Sequence, residues 1–93
     1  NLIVNSGSAR SSAIEAIQYA KAGDLDKAAE SLQQAKETVN EAHHAQTELI
    51  QAEIRGEKAP LNLLMVHAQD HLMTALVVID LAQEFVDLYK KVG

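Results

Sequence analysis

The chain has no cysteine and no tryptophan, and its 93 residues include one proline, four glycines and one phenylalanine. The lack of cysteine excludes disulfide scaffolds, thiolate metal sites and cysteine nucleophiles. No apolar run reaches the roughly 18 residues that a membrane-spanning helix needs. Basic residues number 8 against 13 acidic ones. With no arginine cluster or basic stripe, nothing in the sequence indicates a nucleic-acid partner.

The residues that are abundant favour helices. Alanine, leucine, glutamate, glutamine and lysine dominate, and no window alternates between apolar and polar residues in the way that strands do. The length fits one small domain, which we assign to residues 1–93. The first residues, NLIVNSGSAR, lack a methionine and show no signal peptide. We therefore expect a chain trimmed at its N-terminus and a cytoplasmic location.

Two short segments divide the chain. In KAGDLDKA, Gly23 can adopt the left-handed conformation that closes a helix, and Asp24 can cap the next one. In RGEKAPLN, Gly56 can close a second helix, and Pro60 suits the first turn of a third because the N–H that it lacks has no helical partner there. Both segments are therefore predicted to be turns between helices.

These turns predict three helices, over Leu2 to Ala22, Asp24 or Leu25 to Arg55, and Pro60 to Lys91. Because short turns join antiparallel neighbours, the predicted fold is all-α, an up-down-up three-helix bundle. Gly7 lies inside the first helix, where glycine costs about 1 kcal/mol relative to alanine. We expect a kink or a tight contact there.

The second predicted helix has one apolar stripe with three- and four-residue spacing. His43, Gln46 and Glu53 fall on or beside this stripe. A histidine in such a place is expected to be buried and hydrogen-bonded, with a structural role. The adjacent His44 is expected at the surface.

The third predicted helix is apolar on almost every side. Its apolar residues are Leu61, Leu63, Leu64, Met65, Val66, Leu72, Met73, Leu76, Val77, Val78, Ile79 and Leu81. Two other helices cannot cover every side of it, so its remaining surface needs another partner. Closed homo-oligomers are the common solution, and we expect self-association through this helix.

A narrow polar strip interrupts that apolar helix. His67, Asp70, His71 and Thr74 have the spacing i, i+3, i+4 and i+7, which places them on one face, and Gln69 lies next to them. Three interpretations remain open. The strip can be structural, with Asp70 fixing a histidine tautomer; it can hold a metal ion such as zinc through histidines at i and i+4; or a histidine nitrogen can accept a group covalently.

An oligomer axis along this helix would give Asp70 a further role. If Asp70 faces the axis, it meets its own copies there. Carboxylates about 4 Å apart repel by roughly 4 kcal/mol per pair at an effective dielectric constant of 20. They would then need protons or a cation, and magnesium binds a few carboxylates together with waters.

At these residues the chain resembles a known family. The segment LLMVHAQDHLMTA, together with NSGSARSSAIEAI, AKAGDLDKA and EAHHAQTELIQAE, resembles the IIA component of the lactose/cellobiose-specific family of the bacterial phosphoenolpyruvate-dependent sugar phosphotransferase system. The resemblance extends over essentially the whole chain. It implies a three-helix protomer in a homotrimer.

The resemblance also implies a phosphotransferase component with an assigned site. His67 would accept a phosphoryl group from the phosphohistidine of the carrier HPr and pass it to a cysteine of the cognate IIB component, which phosphorylates the sugar during transport by the membrane component IIC. Asp70 would bind a structural divalent metal, Mg²⁺ in our expectation, at the trimer axis. Gln69 and His71 would support the site by hydrogen bonds to the phosphoryl group or to His67, from the same or the next subunit. The protein itself would bind no sugar and insert into no membrane.

Some roles stay open at the level of sequence. Arg10 in GSARS is a candidate phosphate contact, although a salt bridge to an acidic residue is the expected role. Ala68 occupies a position where lactose-type members often carry glycine, which favours cellobiose or chitobiose as the transported sugar. The alternative to a phosphocarrier is a non-catalytic helical adaptor with a structural His/Asp cluster.

Overall fold

A computed structural model describes residues 2–57 and 63–93 of the chain. It contains three α-helices: α1 (Leu2–Lys21), α2 (Leu25–Ile54) and α3 (Leu63–Val92). The overall dimensions are 52 × 21 × 16 Å, so the two 30-residue helices, each about 45 Å long, lie side by side along the long axis. The predicted all-α three-helix bundle is confirmed. Pro60, the predicted start of the third helix, lies outside the described residues.

The turn between α1 and α2 forms as the sequence predicts. Gly23 has a φ of 89°, a conformation that costs an L-residue with a side chain appreciable strain. The N–H of Asp24 donates to the carbonyl of Tyr19 at 2.9 Å and that of Gly23 to Ala20 at 3.1 Å, which together close the helix as a Schellman motif. The Asp24 side chain accepts from the N–H of Lys27 at 3.2 Å and so caps α2.

The end of α2 repeats this geometry. Gly56 also has a φ of 89°, and its N–H donates to the carbonyl of Glu53 at 3.0 Å. The next N–H, that of Glu57, reaches the carbonyl of Ala52 at 3.0 Å. Both predicted glycine stops are therefore confirmed.

The core consists mostly of small side chains. Its buried apolar residues are Ala9, Ala13, Ala16, Ala20, Ala28, Leu32, Ala35, Val39, Ala42, Ala68, Leu72, Ala75, Ile79, Ala82 and Val86. Alanine on facing helices lets their axes approach closely, so each helix buries only a narrow strip. Since the core is narrow, a residue one position away from a buried strip is only half-buried or is exposed.

Two expectations about single residues are wrong for this reason. His43 is exposed, because it follows Ala42 on the narrow strip of α2 and points about 100° away from it. Its neighbour His44 is exposed, as expected. At Gly7 helix α1 continues without interruption, and a Cβ added there would meet nothing within 4 Å, so no tight contact exists at this residue within the described chain.

Helix α3 leaves a long apolar surface uncovered. We call it the apolar stripe, and it consists of Val66, Met73, Val77, Leu81, Phe85, Leu88 and Val92, which are 43% to 70% exposed. These residues recur every three, four or seven positions and therefore lie on one side of α3. The prediction that the other two helices cannot cover α3 is confirmed. Across the described residues, no helix is both long and apolar enough to cross a membrane.

Candidate functional site

The polar strip of α3 lies in a cleft beside α1. Arg10 from α1 and His67, Asp70, His71 and Thr74 from α3 line this cleft, whose volume is about 170 Å³. The spacing of the four α3 residues predicts that they share a face, and the structure confirms it. We call this feature the histidine cleft.

The two histidines of the cleft contact each other directly. The Nε2 atoms of His67 and His71 lie 3.0 Å apart, and the rings meet edge to face with centroids 4.4 Å apart and planes at 89°. In a neutral pair, such a contact requires one Nε2 to carry the proton and the other to accept it. His67 is exposed and His71 is half-buried. The contact therefore gives the exposed ring of His67 a half-buried partner within the cleft.

Asp70 and Thr74 lie one turn apart on the same face. The Thr74 hydroxyl donates to the backbone carbonyl of Asp70 at 2.8 Å, so it does not engage the carboxylate. Asp70 is exposed and makes no ion pair within the described chain. No cluster of three or more histidine, aspartate or glutamate side chains in the described residues could hold a metal ion. A metal at Asp70 therefore needs carboxylates from other copies of the chain and stays a prediction.

Gln69 lies on the other flank of α3. Its side-chain oxygen accepts a hydrogen bond from the amide nitrogen of Gln46 on α2, in a partly buried position. Residues two positions apart on a helix do not face each other, so Gln69 points away from His71 and the histidine cleft. Within one protomer it ties α3 to α2 instead of contacting His67. A contact from Gln69 to the site of another copy stays a prediction.

The sequence did not reveal that Arg10 and Gln46 approach α3 at this site. Arg10 is half-buried and, within the described chain, forms no ion pair, so the expected salt bridge is wrong. The sequence pattern gave only a weak indication of these contacts, because both residues approach α3 from another helix. Spacing along one helix predicts its shared faces, but it does not predict which residues of two helices come together.

An apolar depression adjoins the histidine cleft. Leu63, Leu64 and His67 line it, and its volume is about 500 Å³. Leu63 is 85% exposed and Leu64 66% exposed. His67 therefore lies at the boundary between a polar cleft and an apolar surface at one end of the bundle.

The sequence of the chain is similar to that of known proteins. A family profile described as the lactose/cellobiose-specific IIA subunit of the PTS system matches residues 1–90. The chain is 55% identical over 91 residues to the lichenan-specific phosphotransferase enzyme IIA component of Bacillus subtilis, covering 98% of this chain and 83% of that protein.

Solved structures show the same similarity. The crystal structure of the PTS cellobiose-specific enzyme IIA from Bacillus anthracis superposes with a TM-score of 0.94 at 60% identity, covering 98% of this chain and 84% of that one. The solution structure of the IIA(chitobiose)–HPr complex from the Escherichia coli phosphotransferase system superposes with a TM-score of 0.83 at 40% identity, covering 98% of this chain and 88% of that one.

Proposed function

This chain belongs to the lactose/cellobiose-specific IIA subunits of the phosphotransferase system, and we propose that it carries a phosphoryl group on His67. In this role it accepts the group from the phosphohistidine of HPr and passes it to a cysteine of the cognate IIB component. IIB then phosphorylates a disaccharide that enters through the membrane component IIC. The observation that carries the proposal is an exposed histidine, oriented by His71 at 3.0 Å, at the mouth of a small polar cleft.

The transfer depends more on how the donor and acceptor atoms are placed than on acid or base catalysis. The lone pair of an unprotonated ring nitrogen of His67 forms a bond to phosphorus, and the electron pair of the breaking N–P bond returns to the donor histidine. In the second step a cysteine thiolate of IIB attacks phosphorus, and the N–P electron pair returns to His67. Such in-line transfers need a fixed ring and access from solvent. His71 supplies the first, and the exposed position of His67 supplies the second.

The apolar surface beside His67 suits the docking of both partners. Leu63 and Leu64 are strongly exposed and border the same histidine. Exposed apolar groups of this kind mark protein interaction sites, and their burial on docking would exclude water from the phosphoryl group. One of the similar structures is a complex of a IIA with HPr, which supports HPr as the donor.

The active assembly in this proposal is a homotrimer that packs through the apolar stripe of α3. Asp70 is four positions after Val66 and three before Met73, so it lies within the apolar stripe. Copies that meet along the stripe therefore bring their Asp70 carboxylates together. Such a set of exposed oxygen ligands fits a divalent cation such as Mg²⁺, which takes a few carboxylates and waters. The ion would offset the carboxylate repulsion and hold subunits together, with no part in the transfer.

The sugar is of the cellobiose or chitobiose type in this proposal, and the transfer takes place in the cytoplasm. The similar proteins named above are specific for lichenan, cellobiose and chitobiose, and Ala68 agrees with that group. Because the phosphoryl group passes through IIB, the chain needs no sugar site of its own.

Radioactive labelling tests the proposal. Phosphoenolpyruvate labelled in its phosphoryl group, enzyme I and HPr are supplied to the wild-type chain and to His67→Gln. We expect label on the wild type that is lost in acid and retained in base, as a phosphohistidine requires. His67→Gln should remain unlabelled with an unchanged helical circular-dichroism spectrum.

The matched control is His44→Gln, which alters an exposed histidine of α2 away from the cleft. It should label like the wild type. Label on His67→Gln would place the phosphoryl group elsewhere, and no label on the wild type would favour the non-catalytic adaptor. Transfer of label to a IIB protein, but not to one whose cysteine is replaced by serine, tests the second step.

A further inference from the structure

Arg10 enters the histidine cleft from the neighbouring helix. It is the only guanidinium or ammonium group among the described residues that line the cleft with His67 and His71. Its side chain is half-buried. The other described arginine, Arg55, pairs with Glu57 at 2.9 Å, whereas Arg10 makes no ion pair within the described residues. Asp70 lines the same cleft but is not within ion-pair distance of Arg10, so the guanidinium is available to an anion that arrives from outside.

The proposed reaction brings such an anion to this place. A phosphoryl group on His67 carries close to two negative charges and three acceptor oxygens. This charge arrives in a small cleft that has one cationic side chain among its described lining residues, so the phosphoryl group needs that cation nearby. Arginine binds phosphate oxygens through a planar fork of N–H donors and stays charged at any working pH.

We propose that Arg10 is a phosphoryl-binding residue, whose guanidinium donates hydrogen bonds to the phosphoryl group as it is attached to His67. This inference rests on the proposed phosphocarrier function and adds a residue to that site. Arg10 holds the incoming group in line with the His67 ring and offsets the negative charge of the phosphoryl oxygens. The role explains why an arginine lies partly buried beside two histidines with no ion pair of its own in the described structure.

Labelling with a small phosphoryl donor distinguishes phosphoryl binding by Arg10 from a role of Arg10 in docking HPr. Phosphoramidate phosphorylates histidine directly and has no docking surface, so labelling of His67 is measured with phosphoramidate and, separately, with phospho-HPr. Arg10→Ala should slow labelling by about tenfold to a hundredfold with either donor, the factor that one or two charge-assisted hydrogen bonds provide. The matched control is Lys21→Ala, the same loss of charge on the last turn of α1, which should label at the wild-type rate.

Chemical rescue tests whether the guanidinium itself acts. Guanidinium ion, added to Arg10→Ala well below unfolding concentrations, should restore part of the lost rate by entering the vacated space. It should not accelerate the wild type or Lys21→Ala. Arg10→Lys, which keeps the charge but loses the fork, should lie between Arg10→Ala and the wild type. If Arg10→Ala does not fold, the labelling rate of Arg10→Lys tests the inference in its place.

The possible outcomes separate the two proposals. If Arg10→Ala and Arg10→Lys both label at the wild-type rate, Arg10 does not bind the phosphoryl group. A slow rate with phospho-HPr alone makes Arg10 a docking residue, and a slow rate without guanidinium rescue gives it a structural role; both results overturn the inference while the phosphocarrier function stands. If the wild-type chain takes no label at His67 from either donor, both proposals fall together.

Discussion

At the scale of single residues, the proposed phosphoryl transfer depends on the pair of His67 and His71. Their Nε2 atoms are 3.0 Å apart, and we expect this contact with the half-buried His71 to limit the rotation of the exposed ring. His71→Ala removes this contact, and we expect labelling of His67 to slow by about threefold to tenfold, the equivalent of one ordinary hydrogen bond. His71→Gln should recover part of the rate, since its amide nitrogen reaches about as far as the imidazole Nε2.

The control for this prediction is His44→Ala, which removes an exposed histidine from α2 and should leave the rate unchanged. The readout is the initial rate of labelling at saturating phospho-HPr, because fixing the ring affects the transfer step and not the docking of HPr. A defect seen only as a raised KM for phospho-HPr would show that His71 contacts the partner and does not orient His67.

The polar strip could be predicted from sequence because it lies on one helix. The spacing of His67, Asp70, His71 and Thr74 fixes their shared face whatever the rest of the molecule does. The place of Arg10 depends on how α1 rotates against α3, and the sequence carries no comparable rule for that. His43 was wrongly expected to be buried, because alanine-lined interfaces make the core narrower than the apolar pattern suggests.

At the scale of the helices, the glycine within α1 and the glycine of the turn after it lead to opposite predictions. Gly23 ends the helix with a φ of 89°, so Gly23→Ala should lower the free energy of unfolding by about 1–2 kcal/mol. Gly7 lies within the helix, where an added Cβ meets nothing within 4 Å. Gly7→Ala should therefore raise the free energy of unfolding by about 0.5–1 kcal/mol.

Urea unfolding followed by circular dichroism measures both changes. The protein concentration must be equal in all samples, since the stability of an oligomer depends on it. If Gly7→Ala destabilises the chain, another copy packs against this part of α1, and the free space beside Gly7 belongs to the isolated protomer alone.

The hydrogen bond between Gln46 and Gln69 joins α2 to α3 at the level of the site. A double-mutant cycle of Gln46→Ala and Gln69→Ala should give a coupling energy of about 0.5–1.5 kcal/mol in the free energy of unfolding. Both single variants should label at His67 with equal rates if the pair only braces the helices. A slower rate in Gln69→Ala alone would instead support a contact from Gln69 to the phosphoryl group of another copy.

The ends of α1 and α2 could be predicted to within a few residues, for a local reason. Each stop depends on one glycine in a left-handed conformation and on hydrogen bonds to the preceding turn, and these are properties of the nearby chain. The exposed apolar side of α3 could also be predicted, because two neighbouring helices cannot cover a helix that is apolar on almost every side. What covers this side, and in how many copies, follows from no pattern in the chain.

At the scale of the whole molecule, Asp70 and the apolar stripe predict how the assembly responds to substitution. Asp70→Leu removes a set of mutually repelling carboxylates and adds apolar contact, so we expect a trimer that no longer depends on divalent metal. Val77→Asp is the matched opposite change, one that places a charge on an exposed apolar residue of the same stripe. It should shift the assembly toward monomers. Sedimentation velocity with magnesium and with a chelator measures both. If Asp70→Leu is monomeric, Asp70 does not lie at the axis. If Val77→Asp remains trimeric, the copies pack through another surface.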